Sequence, residues 1–302
     1  MMNEERVSTL TKEMDRLILP YFPKEEGLQK KLFESMNYSF EAGGKRIRPL
    51  MMQESYKHLG GDEGEIEILD PFFAAMEMIH TYSLIHDDLP AVDNDDYRRG
   101  KATNHKVFGE TTAIFAGDAM LNLAFETMVE ATVKEVDPIW KTKKLEAMNV
   151  LAKKAGAYGM LAGQMVDTLC EDKEDTGLEE LMFIHEKKTA ALIQAPLVMG
   201  AIFAGASREK IARMEQVGYL VGISFQIQDD ILDCIGNEKK LGKKTGSDAK
   251  NDKVTYVTIK GLKEAKEDQV RMSKEAEGLL ASMQDGPSEL IGLVDYLISR
   301  EY

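Results

Sequence analysis

The chain has 302 residues, of which 43% are hydrophobic, so it is long enough to bury the core of one large domain. It contains only two cysteines, which excludes a disulfide-stapled fold and indicates a reduced, cytoplasmic protein. The formal net charge of -14 argues against a nucleic-acid partner, although divalent cations can bridge an acidic protein to small phosphorylated substrates.

The elements predicted along the chain are helices joined by short loops. Asp70, which precedes a proline, is a candidate N-cap, and Thr176 with Glu179 forms a candidate capping box. Only the segment Val254–Ile259 has the β-branched composition of a strand. The longest apolar stretch, Ala190–Ala206, is interrupted by a glutamine and a proline and is too short to span a membrane. The pattern predicts an all-α protein with a single domain over residues 1–302 and no membrane insertion.

The first cluster of acidic residues follows a strongly apolar helix. Asp87 and Asp88 stand near the end of that helix. Pro90 should end or kink it, because proline lacks an N–H and disfavours helical geometry in the residue before it. Asp93 then lies in a loop and reaches Asp87 only if that loop folds back, because a separation of six residues is out of phase with a turn of about 3.6 residues.

The second cluster lies on another predicted helix. Asp229 and Asp233 are one turn apart, and Gln226 precedes them on the same face. Asp230 borders that face. The residues expected to face the core are Ile227, Ile231 and Leu232. This helix thus places three carboxylates at the edge of an apolar interior.

Paired clusters at the ends of apolar helices differ from a lone pair of aspartates, which is usually a solvated surface patch. Carboxylates packed together repel, and burying them unpaired is costly. Mg²⁺ relieves that repulsion and typically accepts one or two carboxylates together with substrate phosphates. We therefore predict that the two clusters hold magnesium ions around a diphosphate and draw charge from its bridging oxygen as it leaves.

Basic residues alternate with the acidic clusters along the chain. Two glycines precede Lys45 and Arg48, and glycine permits close approach of the backbone. Arginine adds paired donors for phosphate oxygens. Further candidates for direct contact with a polyanion are Arg98, Arg99, Lys188 and Lys243.

In combination, these motifs resemble those of the trans-prenyltransferases, the family of isoprenyl diphosphate synthases. The similarity extends from about Gly43 to Tyr256. The motifs that carry it are Gly-Gly-Lys-Arg-Ile-Arg-Pro from Gly43, Asp-Asp-x4-Asp from Asp87, Arg-Arg-Gly from Arg98, Ala-Gly-Asp from Ala116, Gly-Gln-Met-Val-Asp from Gly163, Lys-Thr from Lys188, Phe-Gln from Phe225 and Asp-Asp-x-x-Asp from Asp229. The resemblance implies a barrel of antiparallel helices around a central active-site cavity, a homodimer, isoprenoid diphosphate substrates and roughly two or three Mg²⁺ ions.

The resemblance also implies a role for each group of residues. The two magnesium motifs correspond to Asp87, Asp88 and Asp93 and to Asp229, Asp230 and Asp233. The residues that correspond to the allylic diphosphate site are Arg98, Lys188 and Lys243. The pocket for isopentenyl diphosphate corresponds to Lys45, Arg48, His80 and Arg99. The reaction centre would be lined by Thr189 and Gln226.

Tyr82 is the predicted determinant of product length. It precedes Asp87 by five residues, about 7.5 Å along a helix axis, where its ring would close the cavity after two additions. Ser83 is a second candidate, because helical phase places it more directly in line with Asp87. An aromatic residue here, with the four-residue spacer in the first acidic motif, resembles farnesyl diphosphate synthases of the bacterial type.

Three alternatives stay open. A geranylgeranyl diphosphate synthase differs only in its product. A terpene cyclase shares the metal-dependent chemistry, but Lys45, Arg48 and Arg99 together argue against an enzyme that need not bind isopentenyl diphosphate. A non-catalytic partner subunit would typically lack acidic residues from one cluster, and both clusters are intact here.

Overall fold

The computed structural model describes residues 2–171, 173, 176–235 and 254–298. Within these residues the regular structure is helical apart from one short pair of antiparallel strands. The prediction of an all-α protein is therefore confirmed. None of the described helices has both the length and the apolar character needed to cross a bilayer.

The chain divides into two compact units. The N-terminal unit comprises Asn3–Gln53 and Asp62–Met148, and the C-terminal unit comprises Met1–Met2, Glu54–Gly61 and Asn149–Tyr302. The predicted single domain over residues 1–302 stays a prediction.

Two long helices form the core of the N-terminal unit. Its helical segments are α1 (Glu4–Ile18), α2 (Lys30–Glu41), most of α3 (Ile47–His58), α4 (Asp70–Asp87), α5 (Asn104–Phe108), α6 (Glu110–Val133) and the first part of α7 (Pro138–Ala155), with 3-10 turns at Leu19–Tyr21 and Glu63–Leu69. Helix α4 packs along α6, and Phe72, Phe73 and Ile79 of α4 are fully buried. Burial of each such side chain contributes roughly 1.5–3 kcal/mol, so α4 is firmly anchored.

The predicted N-cap of α4 is wrong by one residue. Leu69 occupies the N-cap position because the preceding 3-10 turn runs directly into the helix, and Asp70 is the first helical residue. Its carboxylate still lies near the positive end of the helix dipole. Burial, followed by repulsion from Glu67, raises the pKa of Asp70 to about 6.

The loop after α4 contains a short hairpin that was not predicted. Strands β1 (Tyr97–Arg98) and β2 (Lys101–Ala102) pair in the antiparallel sense. The two turn residues, Arg99 and Gly100, have φ angles of 53° and 75°. Positive φ at both positions defines a type I′ turn, whose usual sequences are Asn-Gly and Asp-Gly. The hairpin therefore has no recognisable turn signal in the sequence.

A fully buried helix lies in the C-terminal unit. The helical segments of this unit are the rest of α7, α8 (Met160–Glu171), α9 (Leu178–Ile184), a π-helix (His185–Ala190), α10 (Ala191–Phe203), α11 (Arg208–Ile235), α12 (Tyr256–Lys260), α13 (Leu262–Met283) and α14 (Leu290–Ile298). Every residue of α10 is buried. Helix α10 packs against α11, which in turn packs along α13, so α11 is held on two sides.

The predicted capping box of Thr176 and Glu179 is displaced by one residue. Gly177 is the N-cap of α9, and its N–H donates to Glu180 Oε2 at 3.1 Å. The Thr176 hydroxyl is buried without a hydrogen-bond partner in the described part of the chain. The carboxylate half of the box is therefore present, whereas glycine has no side chain to supply the other half.

The predicted strand at Val254–Ile259 is wrong, because α12 forms there. Thr255 is its N-cap, and the Thr255 hydroxyl accepts the Thr258 N–H at 3.2 Å. Asp230 of α11 accepts the Tyr256 N–H at 2.6 Å. These two acceptors satisfy the first N–H groups of the helix and outweigh the β propensity of the segment.

Candidate active site

The first acidic cluster lies where α4 ends. The helix ends at Asp87, with Asp88 as its C-cap, before Pro90 as predicted. The Asp93 N–H donates to the Asp87 carbonyl oxygen at 2.9 Å, so the loop returns to the helix end. Asn94 has a φ of 51°, a left-handed conformation that asparagine tolerates. The predicted return of Asp93 to Asp87 is confirmed.

Asp88 is the buried member of this cluster, and it pairs with Arg98. Asp88 is 3% exposed. Arg98 Nε donates to Asp88 Oδ1 at 2.7 Å, and Arg98 Nη2 lies 2.5 Å from the same oxygen. Burial raises the pKa of Asp88, while the guanidinium of Arg98 acts against that rise. The pair fixes Arg98 beside the acidic cluster.

Arg99 contacts the glycine loop instead of the acidic cluster. Its Nη1 donates to the Gly43 carbonyl oxygen. A Cβ on Gly44 would lie 2.6 Å from that Nη1, and Gly44 has a φ of 140°. Only glycine fits this position. The close approach that the two glycines predicted is thus made by a side chain of the protein itself.

Arg46 anchors the basic loop, a role that was not predicted. It is 4% exposed and has a φ of 49°, which is strained for arginine. Its Nε donates to Asp15 Oδ1 at 2.7 Å and its Nη1 to Glu77 Oε1 at 2.8 Å. Both partners are 31 residues away along the chain, so no local pattern reveals the contacts.

Arg48, His80 and Arg99 form a basic group in which the charges of the two arginines repel each other and disfavour protonation of His80. Burial lowers the pKa of Arg48 to about 10, with repulsion from Arg99 adding to the effect and Glu77 opposing it. The Arg48 Nε atom is buried without a hydrogen-bond partner among the described residues. Burial and then the charges of Arg48 and Arg99 lower the pKa of His80 well below its usual range. A bound anion would relieve this repulsion. Lys45, in the same loop, is exposed.

Tyr82 is buried within the N-terminal unit. Tyr82 is only 3% exposed, and its hydroxyl has no hydrogen-bond partner among the described residues. Burial and the charge of Asp87 raise the pKa of Tyr82 to about 12. The ring meets the edge of the His86 ring at 5.9 Å between centroids. Ser83 donates its hydroxyl to the His80 carbonyl oxygen at 2.9 Å, so it is turned back onto its own helix.

The second acidic cluster lies on α11, with its carboxylates on the face that the sequence predicts. Asp229 and Asp230 are half-buried, and Asp233 is 6% exposed. The residues predicted to face the core are buried, namely Ile227, Ile231 and Leu232. The carboxylates therefore stand at the boundary of an apolar interior, as expected, and Gln226 is half-buried beside them.

Lys188 and Thr189 lie in the π-helix rather than at the start of α10. A π-helix is rare and often occurs at functional sites. Lys188 Nζ donates to Asp167 Oδ2 on α8 at 2.5 Å. Asp167 belongs to a motif that supported the family resemblance, but its contact with Lys188 was not predicted. The predicted site residue Lys243 lies outside the described residues.

The donor set at both acidic clusters suits magnesium. All of the candidate ligands are carboxylate oxygens, the hard ligands that Mg²⁺ prefers. In the described part of the chain, no three His, Cys, Asp or Glu side chains are grouped closely enough to hold an ion by themselves. An ion bound by fewer carboxylates needs further oxygens, which substrate phosphates and water supply.

The largely helical fold, the two acidic motifs and the pair of Arg98 with Asp88 agree with the family that the sequence resembles. Residues 29–284 match the polyprenyl synthetase family. The chain belongs to the polyprenyl synthetase family.

Characterised relatives cover nearly the whole chain. The farnesyl diphosphate synthase of Bacillus subtilis (strain 168) is 43% identical over 284 residues, which are 94% of each chain. That of Micrococcus luteus is 45% identical over 90% of each chain. The large subunit 1 of the chloroplastic heterodimeric geranylgeranyl pyrophosphate synthase of Arabidopsis thaliana is 45% identical over 90% of this chain and 72% of its own.

Solved structures have the same fold. The geranylgeranyl pyrophosphate synthetase of Pyrococcus horikoshii matches with a TM-score of 0.85 and 31% identity over 98% of both chains. The geranyltransferase of Helicobacter pylori, solved with magnesium and isoprenyl diphosphate, matches with a TM-score of 0.80 and 29% identity over 99% of this chain and 98% of its own.

Proposed function

We propose that this chain is a prenyltransferase that condenses dimethylallyl and then geranyl diphosphate with isopentenyl diphosphate to give farnesyl diphosphate. The observation that carries the proposal is the different contact of two adjacent arginines. Arg98 pairs with Asp88 of the acidic cluster, whereas Arg99 contacts Gly43 of the basic loop. The hairpin that carries both arginines thus contacts the first acidic motif on one side and the basic loop on the other. A reaction between two diphosphates requires two such sites close together.

The acidic motifs are the proposed sites for the metal cofactor. The proposed ligands are Asp87, Asp88 and Asp93 in one motif and Asp229, Asp230 and Asp233 in the other. Magnesium bound there supplies positive charge that stabilises the diphosphate as a leaving group. The backbone return of Asp93 to Asp87 supports this role, because it keeps two carboxylates of the motif at one end of α4.

The basic residues are the proposed diphosphate ligands. For the allylic substrate these are Arg98, Lys188 and Lys243. For isopentenyl diphosphate they are Lys45, Arg48, His80 and Arg99. The second assignment is supported by the buried Arg48 Nε atom, which has no hydrogen-bond partner among the described residues. The charges of Arg48 and Arg99, which add to burial in lowering the pKa of His80, also support it, because a phosphate would stabilise them.

The chemistry follows from charge and exclusion of water. The bond between the allylic carbon and the diphosphate oxygen breaks, and the electron pair leaves with the oxygen into the cationic site. The double bond of isopentenyl diphosphate then forms the new carbon–carbon bond, and the resulting cation loses a proton to the departed diphosphate, which restores a double bond. Thr189 and Gln226 are the proposed lining of this centre. Water must be kept away, because it would capture the allylic cation.

Tyr82 is the proposed limit on product length. It is buried five residues before Asp87 on α4, and its ring packs against His86. Ser83 is less suited, because its hydroxyl is bonded to its own helix. Relatives that make either farnesyl or geranylgeranyl diphosphate are about equally similar, so product length is the finer part of the proposal.

The decisive experiment is product analysis. The purified chain is incubated with Mg²⁺, dimethylallyl diphosphate and radiolabelled isopentenyl diphosphate, and the dephosphorylated products are separated by chromatography. A fifteen-carbon product supports the proposal, and a twenty-carbon product replaces it with the geranylgeranyl alternative. No product longer than the allylic substrate would contradict the synthase and favour a non-catalytic partner subunit.

We also propose that two copies of the chain associate through α6. Phe115, Val129 and Val133 of this helix are 58%, 44% and 70% exposed. Phe115 and Val133 are about five helical turns apart and Val129 lies one turn before Val133, so the three share one face. These apolar side chains lie at the two ends of the face, with the exposed Asn122 and Glu126 between them, so contact with a second copy would cover both apolar ends. Light scattering should give twice the chain mass, and Phe115→Glu should give the monomer; a monomeric wild type would contradict the proposal.

The cytoplasm is the proposed location, because both cysteines, Cys170 and Cys234, are free thiols, as is usual in a reducing compartment. Fractionation of cells that produce the chain tests this. Recovery with a cytoplasmic marker supports the proposal, and recovery with an oxidising compartment contradicts it.

A further inference from the structure

One face of α8 contacts the π-helix at Lys188. A Cβ on Gly163 would lie 2.1 Å from the Lys188 backbone nitrogen and 2.7 Å from the Lys187 carbonyl carbon, so only glycine admits the backbone there. Asp167 lies one turn further along α8 and accepts a hydrogen bond from Lys188 Nζ at 2.5 Å. Helix α8 thus holds both the backbone and the side chain of Lys188.

The two adjacent lysines of the π-helix differ in this respect. Lys187 Nζ lies 2.5 Å from Glu186 Oε1 and 5.9 Å from the centroid of the Phe183 ring, so its partners are on its own segment and on α9. Lys188 has its partner on α8. The two lysines carry the same charge but have partners on different elements. Lys187 is therefore a suitable control for Lys188.

The burial of the Lys188 pair is unequal. The Asp167 side chain is 6% exposed, whereas the Lys188 side chain is 26% exposed. The carboxylate is therefore a fixed point inside the unit, while the ammonium keeps contact with solvent. An ammonium has three N–H donors, so one bond to Asp167 leaves donors for an anionic ligand.

We propose that Gly163 and Asp167 are positioning residues that set the location and direction of the Lys188 ammonium for the allylic diphosphate. This inference rests on the proposed function. A lysine stem is flexible and must otherwise lose its rotamer freedom when it binds phosphate. Gly163 fixes where the stem begins, and Asp167 fixes where it ends. Lys188 is then ordered before the substrate arrives, which strengthens binding.

The first test is Asp167→Asn. We expect the KM for geranyl diphosphate to rise by about tenfold to one hundredfold, the effect of losing one hydrogen bond between charged groups. The KM for isopentenyl diphosphate should stay within about twofold, because Lys188 belongs to the allylic site in the proposed function. Asp167→Glu should restore part of the affinity, since it keeps the charge.

A double-mutant cycle shows whether Asp167 acts through Lys188. In a Lys188→Met background, Asp167→Asn should change kcat/KM for geranyl diphosphate by less than about twofold. Equal effects in both backgrounds would contradict the inference. Lys187→Met is a control for loss of charge in the same π-helix. Glu209→Gln is a control for loss of charge on the surface of α11, because the Glu209 side chain is 74% exposed. Both should leave the KM unchanged.

Gly163→Ala tests the backbone contact. We expect it to raise the KM for geranyl diphosphate as Asp167→Asn does, because the new methyl group displaces residue 188. Gly278→Ala is the matched control: it lies in α13, and a Cβ there meets no atom within 4 Å. An inactive wild type would contradict the proposed function and this inference together. An active wild type whose Asp167→Asn variant retains the normal KM contradicts the inference alone.

Discussion

Gly44 and the guanidinium of Arg99 are in such close contact that a Cβ on Gly44 would lie 2.6 Å from Arg99 Nη1. The contact joins the glycine loop to the hairpin that also carries Arg98. The position of Arg99 therefore depends on the absence of a side chain at residue 44, 55 positions earlier in the sequence.

Gly44→Ala should displace Arg99 and weaken isopentenyl diphosphate binding. The substitution also introduces backbone strain, because Gly44 has a φ of 140°, and we expect a stability loss of about 1–3 kcal/mol. Steady-state kinetics and urea unfolding measure the two effects. Gly109→Ala is the matched control, because Gly109 has a φ of 87° but open space at its Cβ position. If both variants raise the KM equally, strain alone explains the effect.

Glu77→Gln should destabilise the N-terminal unit strongly. Glu77 and Arg46 are each 3% exposed in their side chains and 2.8 Å apart. Removing one charge of a buried pair leaves the other uncompensated and costs about 3–5 kcal/mol, although Asp15 will offset part of this for Arg46. Urea unfolding gives the change in free energy. Glu130→Gln removes a pair that is 75% and 70% exposed and should cost less than about 1 kcal/mol.

Two substitutions at Tyr82 separate its ring from its hydroxyl. Tyr82→Phe should keep the product and stabilise the fold by about 1 kcal/mol or leave it unchanged, because the buried hydroxyl has no partner among the described residues. Tyr82→Ala should lengthen the product beyond fifteen carbons. Tyr97→Ala is a control at a ring that is 72% exposed. Unchanged products from Tyr82→Ala would assign the limit to another residue.

His58 should make stability depend on pH. It is fully buried, its Nε2 lies 2.9 Å from the Leu280 carbonyl oxygen, and its Nδ1 lies 2.8 Å from Ser288 Oγ. Burial lowers the pKa of His58 below its unfolded value. The unfolded chain therefore binds more protons between those two values, and the free energy of unfolding falls as the pH drops below about 6.5.

Chemical unfolding at a series of pH values tests this dependence. The difference between the wild type and His58→Asn isolates the contribution of this imidazole. A difference that is constant with pH would show that His58 does not titrate on unfolding.

The predictable features of the site were those with local causes. Pro90 ended α4 and allowed Asp93 to return to Asp87, because proline geometry acts on neighbouring residues. The apolar face of α11 followed from helical periodicity. Such rules need only a few adjacent residues.

The features that were missed depend on residues distant in sequence. Arg99 adopts a positive φ, which is unfavourable for arginine, in the turn of the hairpin. Its guanidinium contacts the Gly43 carbonyl oxygen, 56 positions earlier in the sequence. The segment after Val254 is helical, with Asp230 accepting the N–H of Tyr256. The pair of Lys188 and Asp167 spans 21 positions between two helical elements. Propensity and periodicity contain no information on such partners.

The most direct measurement of the central claim is the rate of condensation in variants of the two acidic motifs at saturating Mg²⁺. Asp87→Asn and Asp229→Asn should each lower kcat by about one hundredfold or more, the usual cost of losing one group that stabilises the charge of the transition state. Glu130→Gln, at a side chain that is 70% exposed, is the control. A wild-type rate in either motif variant would contradict the account, because that motif would then play no part in the departure of the diphosphate.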